Sequence, residues 1–249
     1  MKTAFITGAT SGIGRATATE LGKNGFRIIA CGRREDRLAE LKSELTDITE
    51  ITTLIFDVRD KTSVSEAVQS LDSNWQKVDV LVNNAGNAHG LSNIKDGSIE
   101  DWDAMIDINV KGLLYVTKAV LPLMPKNAGA HIINIGSIAG REVYGNGNVY
   151  CASKSAVDAL SEGMRIDLNQ DGIKVSQIAP GLVETEFSLV RFKGDAKKSE
   201  KVYEGYKALQ PKDLAELILF MATRPQHVNI ADVLILPEAQ AASTIVRKS

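Results

Sequence analysis

The chain has 249 residues, which suits one α/β domain with a sizeable core, and its 29 Lys and Arg nearly cancel 31 Asp and Glu, leaving no basic footprint for nucleic acid. No apolar run approaches the ~20 residues of a membrane span, and the N-terminal MKTAFITGAT lacks the apolar core and cleavage site of a secretory leader. His89, His131 and His227 are isolated and Cys31 and Cys151 form no CxxC pair, which argues against a metal site, a histidine-based triad and a disulfide framework, and for a cytoplasmic protein.

Short β-branched runs recur along the chain. They are TAFIT (3–7), FRIIAC (26–31), TTLIFDV (52–58), VDVLVN (78–83), AHIINIG (130–136), IKVSQIAP (173–180) and DVLILP (232–237). Between them lie stretches of helical period, such as GIGRATATELGKNG and REDRLAELKSELTD. Apolar strands alternating with amphipathic helices predict βαβ units around a buried parallel sheet. Right-handed crossovers then give a single-domain Rossmann-like, doubly wound α/β fold of about seven strands over residues 1–249, with helices on both faces. The segment at about 184–210 is twice as long as a crossover requires, and its place beyond a strand's carboxyl end predicts a substrate lid.

The first strand runs into TGATSGIG, with Gly8, Thr10, Ser11, Gly12, Ile13 and Gly14 forming a turn that opens a helix. Glycines there let the backbone approach a pyrophosphate, and the helix N-terminus offers free N–H groups. The end of the second strand is where such folds choose their cofactor. An NAD enzyme would present an acidic group; this chain presents Arg33 and Arg34, which suit the 2′-phosphate of NADP(H). Each charge-assisted contact of that kind is worth roughly 1.5–3 kcal/mol. Asp57 and Val58, ending the third strand, are placed to meet the adenine, and the NNAG run with Asn84, Ala85 and Gly86 is placed to fix a loop against the cofactor.

Near the middle of the chain, NVYCASK puts Tyr150 and Lys154 four residues apart, on one helical face. A free phenol titrates near 10; bringing it to about 7 requires roughly 4 kcal/mol. An ammonium about 4 Å away supplies about that much at an effective dielectric near 20. The pair therefore reads as an acid/base tyrosine activated by a lysine, with Ser137 at the end of the fifth strand beside it.

TGATSGIG, NNAG, Asn109 in DINVKG, Ser137, Tyr150 to Lys154 and PGLVETEF (180–187) together resemble the short-chain dehydrogenase/reductase family over essentially the whole chain. The resemblance implies a catalytic tetrad. Tyr150 would exchange a proton with the substrate oxygen, Ser137 would hydrogen-bond that oxygen, Lys154 would hold the nicotinamide ribose, and Asn109 would support a water-linked proton path. Pro180, Gly181, Val183 and Thr185 would cover the nicotinamide. It also implies a homotetramer. The tail EAQAASTIVRKS is more apolar than a free end requires, which suits docking on a neighbouring subunit, with a frayed terminus as the alternative.

CGRREDRLAELK, PGLVETEFSLVRFKGD and RPQHVNIADVLILP are similar to the NADP-dependent 3-hydroxy acid dehydrogenase branch, whose substrates include L-serine, L-allo-threonine and 3-hydroxypropionate-type acids. Arg191, on the lid, is the first candidate to pair with such a carboxylate, and Arg141 the second. Two other readings stay open: a broad ketone, aldehyde or diketone reductase with no use for Arg191, and a dinucleotide-binding protein without turnover.

Overall fold

The computed structural model describes residues 1–249. In its first half β1 (Lys2–Thr7), α1 (Gly12–Lys23), β2 (Phe26–Gly32), α2 (Glu35–Leu45), β3 (Ile51–Ile55), α3 (Lys61–Gln69) and β4 (Val80–Asn83) alternate strictly. There follow α4 (Ile99–Ile106), a π-helical stretch (Asp107–Gly112), α5 (Leu113–Val120), β5 (His131–Ile135), α6 (Asn148–Asp167) and β6 (Lys174–Pro180). Then come α7 (Phe187–Arg191), α8 (Ala196–Tyr203), α9 (Pro211–Ala222), β7 (Asp232–Ile235), β8 (Gln240–Ala242) and β9 (Ile245–Val246).

The first seven strands form one parallel sheet in the order β3-β2-β1-β4-β5-β6-β7. The winding reverses between β1 and β4, and the crevice at the carboxyl ends of these strands is where an open α/β sheet receives a ligand. Alternation along β1 explains the two layers. Ala4 and Ile6 face a core shared with Leu21, Leu38 and Leu214, whereas Phe5 faces Ile29, Val64 and Val116. Each fully buried aliphatic side chain stabilises the fold by roughly 1.5–3 kcal/mol.

One sequence expectation is corrected. β3 stops at Ile55 rather than Val58, because after Phe56 donates to the Gly32 carbonyl the chain turns at Asp57, whose carbonyl accepts from Asp60 N at 3.0 Å. Asp60 then caps α3 by accepting from Thr62 N and Ser63 N. Within the tail, β8 and β9 pair as an antiparallel hairpin. The segment 184–210 carries α7 and α8. Its ends are pinched together, with Glu184 N donating to Leu209 O at 2.8 Å and Leu209 N to Leu182 O at 3.1 Å.

Candidate active site

A cleft of about 340 Å³ opens at the carboxyl ends of the central strands. Its floor begins at the glycine turn. Gly8 and Gly12 take φ of +67° and +51°, in the left-handed region open to glycine. A Cβ at Gly14 would collide with the carbonyl oxygen of Gly8, so the helix packs directly on the turn that feeds it. Bare backbone at the N-terminus of α1 is the cradle that a pyrophosphate needs. Every cofactor residue expected from the sequence lines the cleft except Gly14, which lies behind the turn and shapes it.

The NNAG segment is stapled to the end of β1. Thr7 Oγ1 accepts from Asn84 N and Ala85 N, both at 3.0 Å, while Asn84 Nδ2 donates to the Thr7 carbonyl at 2.9 Å. Asn83 points the other way, into the interior, where its Nδ2 donates to Thr117 Oγ1 and Asn134 Oδ1. One amide therefore fixes the cleft and the other ties β4 to β5 and α5.

Arg33 and Arg34 both reach the cleft. Arg34 donates to Thr10 Oγ1 through Nε (3.2 Å) and Nη2 (3.1 Å), and to Glu186 through Nη1 at 2.9 Å. Arg33 lies 3.4 Å from Asp57, which is gripped more closely by Arg59 at 2.7 Å. Burial pushes the Asp57 carboxyl up, but the hydrogen bonds and charge of Arg59, with the charge of Arg33, outweigh it and hold the group below the ordinary carboxylate range. Asp57 still lines the cleft, as an acceptor already engaged by arginine.

At the inner end lie Ser137, Tyr150 and Lys154. Ser137 Oγ accepts from Ala139 N at 3.1 Å, which sets the turn beyond β5. Lys154 Nζ is buried and donates to the Ile135 carbonyl at 2.9 Å; burial alone brings its pKa down to about 8. Tyr150 is buried too, and desolvation drives its phenol up rather than down. The Ser137 hydroxyl and the Arg191 charge act against that rise, but do not overcome it. Among the protein's own groups, then, the expected lowering of Tyr150 by Lys154 is not realised. Lys154 has been drawn onto a backbone carbonyl, and the cation over the phenol belongs to Arg191.

Asn109 lies in the π-helical stretch, behind the cleft. Its Oδ1 accepts from Asn87 N at 2.9 Å and its Nδ2 donates to Asn87 O at 2.8 Å and Ser153 Oγ at 3.0 Å. Ser153 in turn donates to the Tyr150 carbonyl at 2.8 Å. Asn109 thus links the loop after β4 to the first turn of α6. A Cβ at Gly86 would sit 3.1 Å from Asn109 Oδ1 and 3.4 Å from Lys154 Nζ, so a glycine is needed where these groups converge.

The 184–210 segment supplies the other wall. Phe187 packs against Tyr150 with ring centroids 5.6 Å apart. Arg191 donates to Tyr144 Oη at 2.6 Å and lies with its guanidinium carbon 5.1 Å from the Tyr150 ring centre. It also closes on the loop after β4, where its carbonyl accepts from Gly90 N at 2.9 Å. The root of the segment is clamped from the tail: Gln240 Oε1 accepts from Leu182 N at 2.9 Å, and Gly181 has no room for a Cβ beside that amide. Arg141, the second carboxylate candidate, is not at the cleft. Asp232 at the start of β7 pairs with it and holds it outward. Tyr144 and Arg59 carry no sequence motif of their own, and Glu186 and Phe187 close the PGLVETEF run with nothing in it to mark their partners Arg34 and Tyr150, which lie far away in the chain.

A family model described as short chain dehydrogenase matches residues 2–195, a span that holds the glycine turn, Ser137, Tyr150, Lys154 and the root of the 184–210 segment. The chain belongs to that family. As a short-chain dehydrogenase it is an oxidoreductase. It is 48% identical over 238 residues to the NADP-dependent 3-hydroxy acid dehydrogenase YdfG of Salmonella typhi, covering 95% of each chain. It is 45% identical over 240 residues to sulfoacetaldehyde reductase 2 of Chromohalobacter salexigens, covering 96% of this chain and 95% of that one. Among solved structures, the closed form of serine dehydrogenase complexed with NADP+ superposes with a TM-score of 0.92 at 44% identity, over 99% of both chains. No helix is long and apolar enough to cross a membrane.

Proposed function

We propose that this short-chain dehydrogenase moves a hydride between NADP(H) and the hydroxyl-bearing or carbonyl carbon of small acids whose anionic group stands one carbon away. L-serine, L-allo-threonine and 3-hydroxypropionate-type acids have that spacing. The observation that carries this reading is the guanidinium of Arg191 over the face of Tyr150. A substrate whose oxygen meets the phenol would bring its charged end to the arginine, in a bidentate pairing suited to carboxylate or sulfonate. The names of two relatives are consistent with it, because a 3-hydroxy acid and sulfoacetaldehyde both place the anion one carbon from the reacting centre.

NADP, when bound, supplies or accepts the hydride. The glycine turn and the N-terminus of α1 hold its pyrophosphate, Arg33 and Arg34 its 2′-phosphate, and Lys154 its nicotinamide ribose. Tyr150 gives a proton to the substrate oxygen in reduction and removes it in oxidation. Ser137 donates a hydrogen bond to the same oxygen. A buried phenol whose pKa is raised seldom ionises, so oxidation, which needs the phenolate as base, draws on the Arg191 charge to stabilise it. Asn109 fixes the loop and helix that carry these groups, supports the water-linked path of the proton, and the 184–210 segment closes over them as a lid.

The test is the initial rate of NADP+ reduction with L-allo-threonine and L-serine beside secondary alcohols lacking an acid group. Strong preference for the acids supports the reading. Equal or faster turnover of plain alcohols would leave a general carbonyl reductase in which Arg191 reads nothing. Assembly as a homotetramer is proposed on the family resemblance, and light scattering of the purified protein tests it.

A further inference from the structure

Glu186 stands at the root of the lid, one residue before α7, and reaches across the cleft to the end of β2. Arg34 Nη1 donates to its Oε2 at 2.9 Å, and Arg37 Nη1 lies 3.5 Å from its Oε1. Arg34 Nε and Nη2 are turned to Thr10, so three of the guanidinium's five N–H donors are engaged by the protein. Burial pushes the Glu186 carboxyl up, yet the hydrogen bond and charge of Arg34, the charge of Arg37 and the Ser11 hydroxyl hold it below its ordinary range. It is therefore ionised at neutral pH. Thr185, its neighbour, lies against the glycine turn, where a Cβ at Gly12 would come within 3.2 Å of its methyl.

An anion thus occupies the arginine that is the best candidate for the 2′-phosphate. A phosphate and a carboxylate on one guanidinium repel each other, and only a cofactor carrying that phosphate has the charge to displace Glu186. NAD, with a neutral 2′-hydroxyl, has no such means. We propose that Glu186 tempers the preference for NADP: it competes with the 2′-phosphate for Arg34, so that NADP binding, unlike NAD binding, must break the link between β2 and the root of the lid. The inference rests on the reading that Arg34 holds the phosphate.

The experiment is fluorescence titration of the whole protein with NADPH and with NADH, for wild type, Glu186→Gln, Glu186→Ala and Arg34→Ala. Removing the carboxylate is expected to tighten NADPH by about three- to tenfold, the scale of one half-exposed charge pair, and to leave NADH within about twofold. Raising the salt concentration should shrink the NADPH difference between wild type and Glu186→Gln. Unchanged or weaker NADPH binding in Glu186→Gln, or an equal shift for NADH, overturns the proposal. If Arg34→Ala selectively weakens NADPH while Glu186→Gln changes nothing, competition alone has failed. If Arg34→Ala leaves NADPH unaffected, the proposal falls together with the phosphate reading beneath it. Glu186 is half exposed and the glutamine keeps its shape, and an unchanged melting temperature would confirm that folding is not at issue.

Discussion

Arg191 lies over the ring of Tyr150, its guanidinium carbon 5.1 Å from the ring centre, while one of its nitrogens donates to the hydroxyl of Tyr144 at 2.6 Å. Arg191 is thereby fixed from two sides, by a ring face and by a phenol oxygen. Tyr144 is admitted because Gly147 has no side chain; a Cβ there would collide with the tyrosine ring. The arrangement brings a cation to the one buried phenol in the cleft.

Replacing Arg191 with Met should reduce kcat/KM for 3-hydroxy acids by about 10²-fold and for plain alcohols by less than about tenfold, because a charge-assisted pair is lost only for the acids. Arg191→Lys should recover only part of the loss, since a point charge does not reproduce a planar fork. The Arg191 charge lowers Tyr150, so its removal should also move the tyrosine limb of the pH–rate profile to higher pH. Steady-state kinetics over a pH series measures both effects.

Tyr150→Phe keeps the packing against Phe187 and removes only the hydroxyl. Turnover should fall by about 10²–10⁴-fold, the usual contribution of a positioned acid or base. NADPH affinity should stay within about threefold, and substantial residual activity would exclude Tyr150 from proton transfer.

Lys154 should be costly to the fold. Its pKa falls from the ordinary 10.5 to about 8 because the ammonium is buried. The unfolded chain therefore binds more protons between pH 8 and 10.5, and stability rises across that window as the folded lysine becomes neutral. Below pH 8 the penalty is present in full. Lys154→Met should thus abolish activity yet stabilise the protein at pH 7 by about 1–2 kcal/mol, after allowing for the Ile135 carbonyl it leaves unpaired. The gain should fade above pH 8, and urea unfolding at pH 7 and 10 would show it.

His131 predicts the acid side. It is buried on β5 beside Ser176, and burial, with the Lys174 charge, pushes its pKa down to about 3. The unfolded imidazole takes up a proton below its ordinary 6.5 while the folded one does not, so stability is complete above 6.5 and is lost progressively as the pH falls toward 3. At pH 5 the loss from this residue alone should be about 2 kcal/mol. His131→Gln should flatten that slope, as denaturant midpoints from pH 7 to 5 would reveal.

What could be read in the sequence was local or periodic. The glycine turn, the alternation along β1 and the i, i+4 relation of Tyr150 and Lys154 are each written within a few residues, and the structure realises them. Long-range partners left no such mark. Arg141 looked plausible beside Ser137 until Asp232, distant in the chain but adjacent in the sheet, drew it away. Glu186 gave no sign of reaching Arg34, 152 residues away in the chain. The charge balance around Tyr150 could not be read either, because spacing fixes which groups share a face but not the burial of each. Desolvation of the phenol outweighs the cations near it.

The tail holds the 184–210 segment at two places. Gln240 grips Leu182 at the root, and Ser249 N donates to the Gly205 carbonyl at 2.8 Å beyond α8. Met1 is remote from all this: it is exposed, and β1 starts at the amino end of the strands, opposite the cleft. An affinity tag or fluorescent fusion is therefore not a neutral choice. Appended after Ser249 it would pull on the gate of the active site and distort kinetic constants, whereas the same tag before Met1 would leave them alone. Trimming residues 240–249 should act less like removing a frayed end than like a mutation in the site itself.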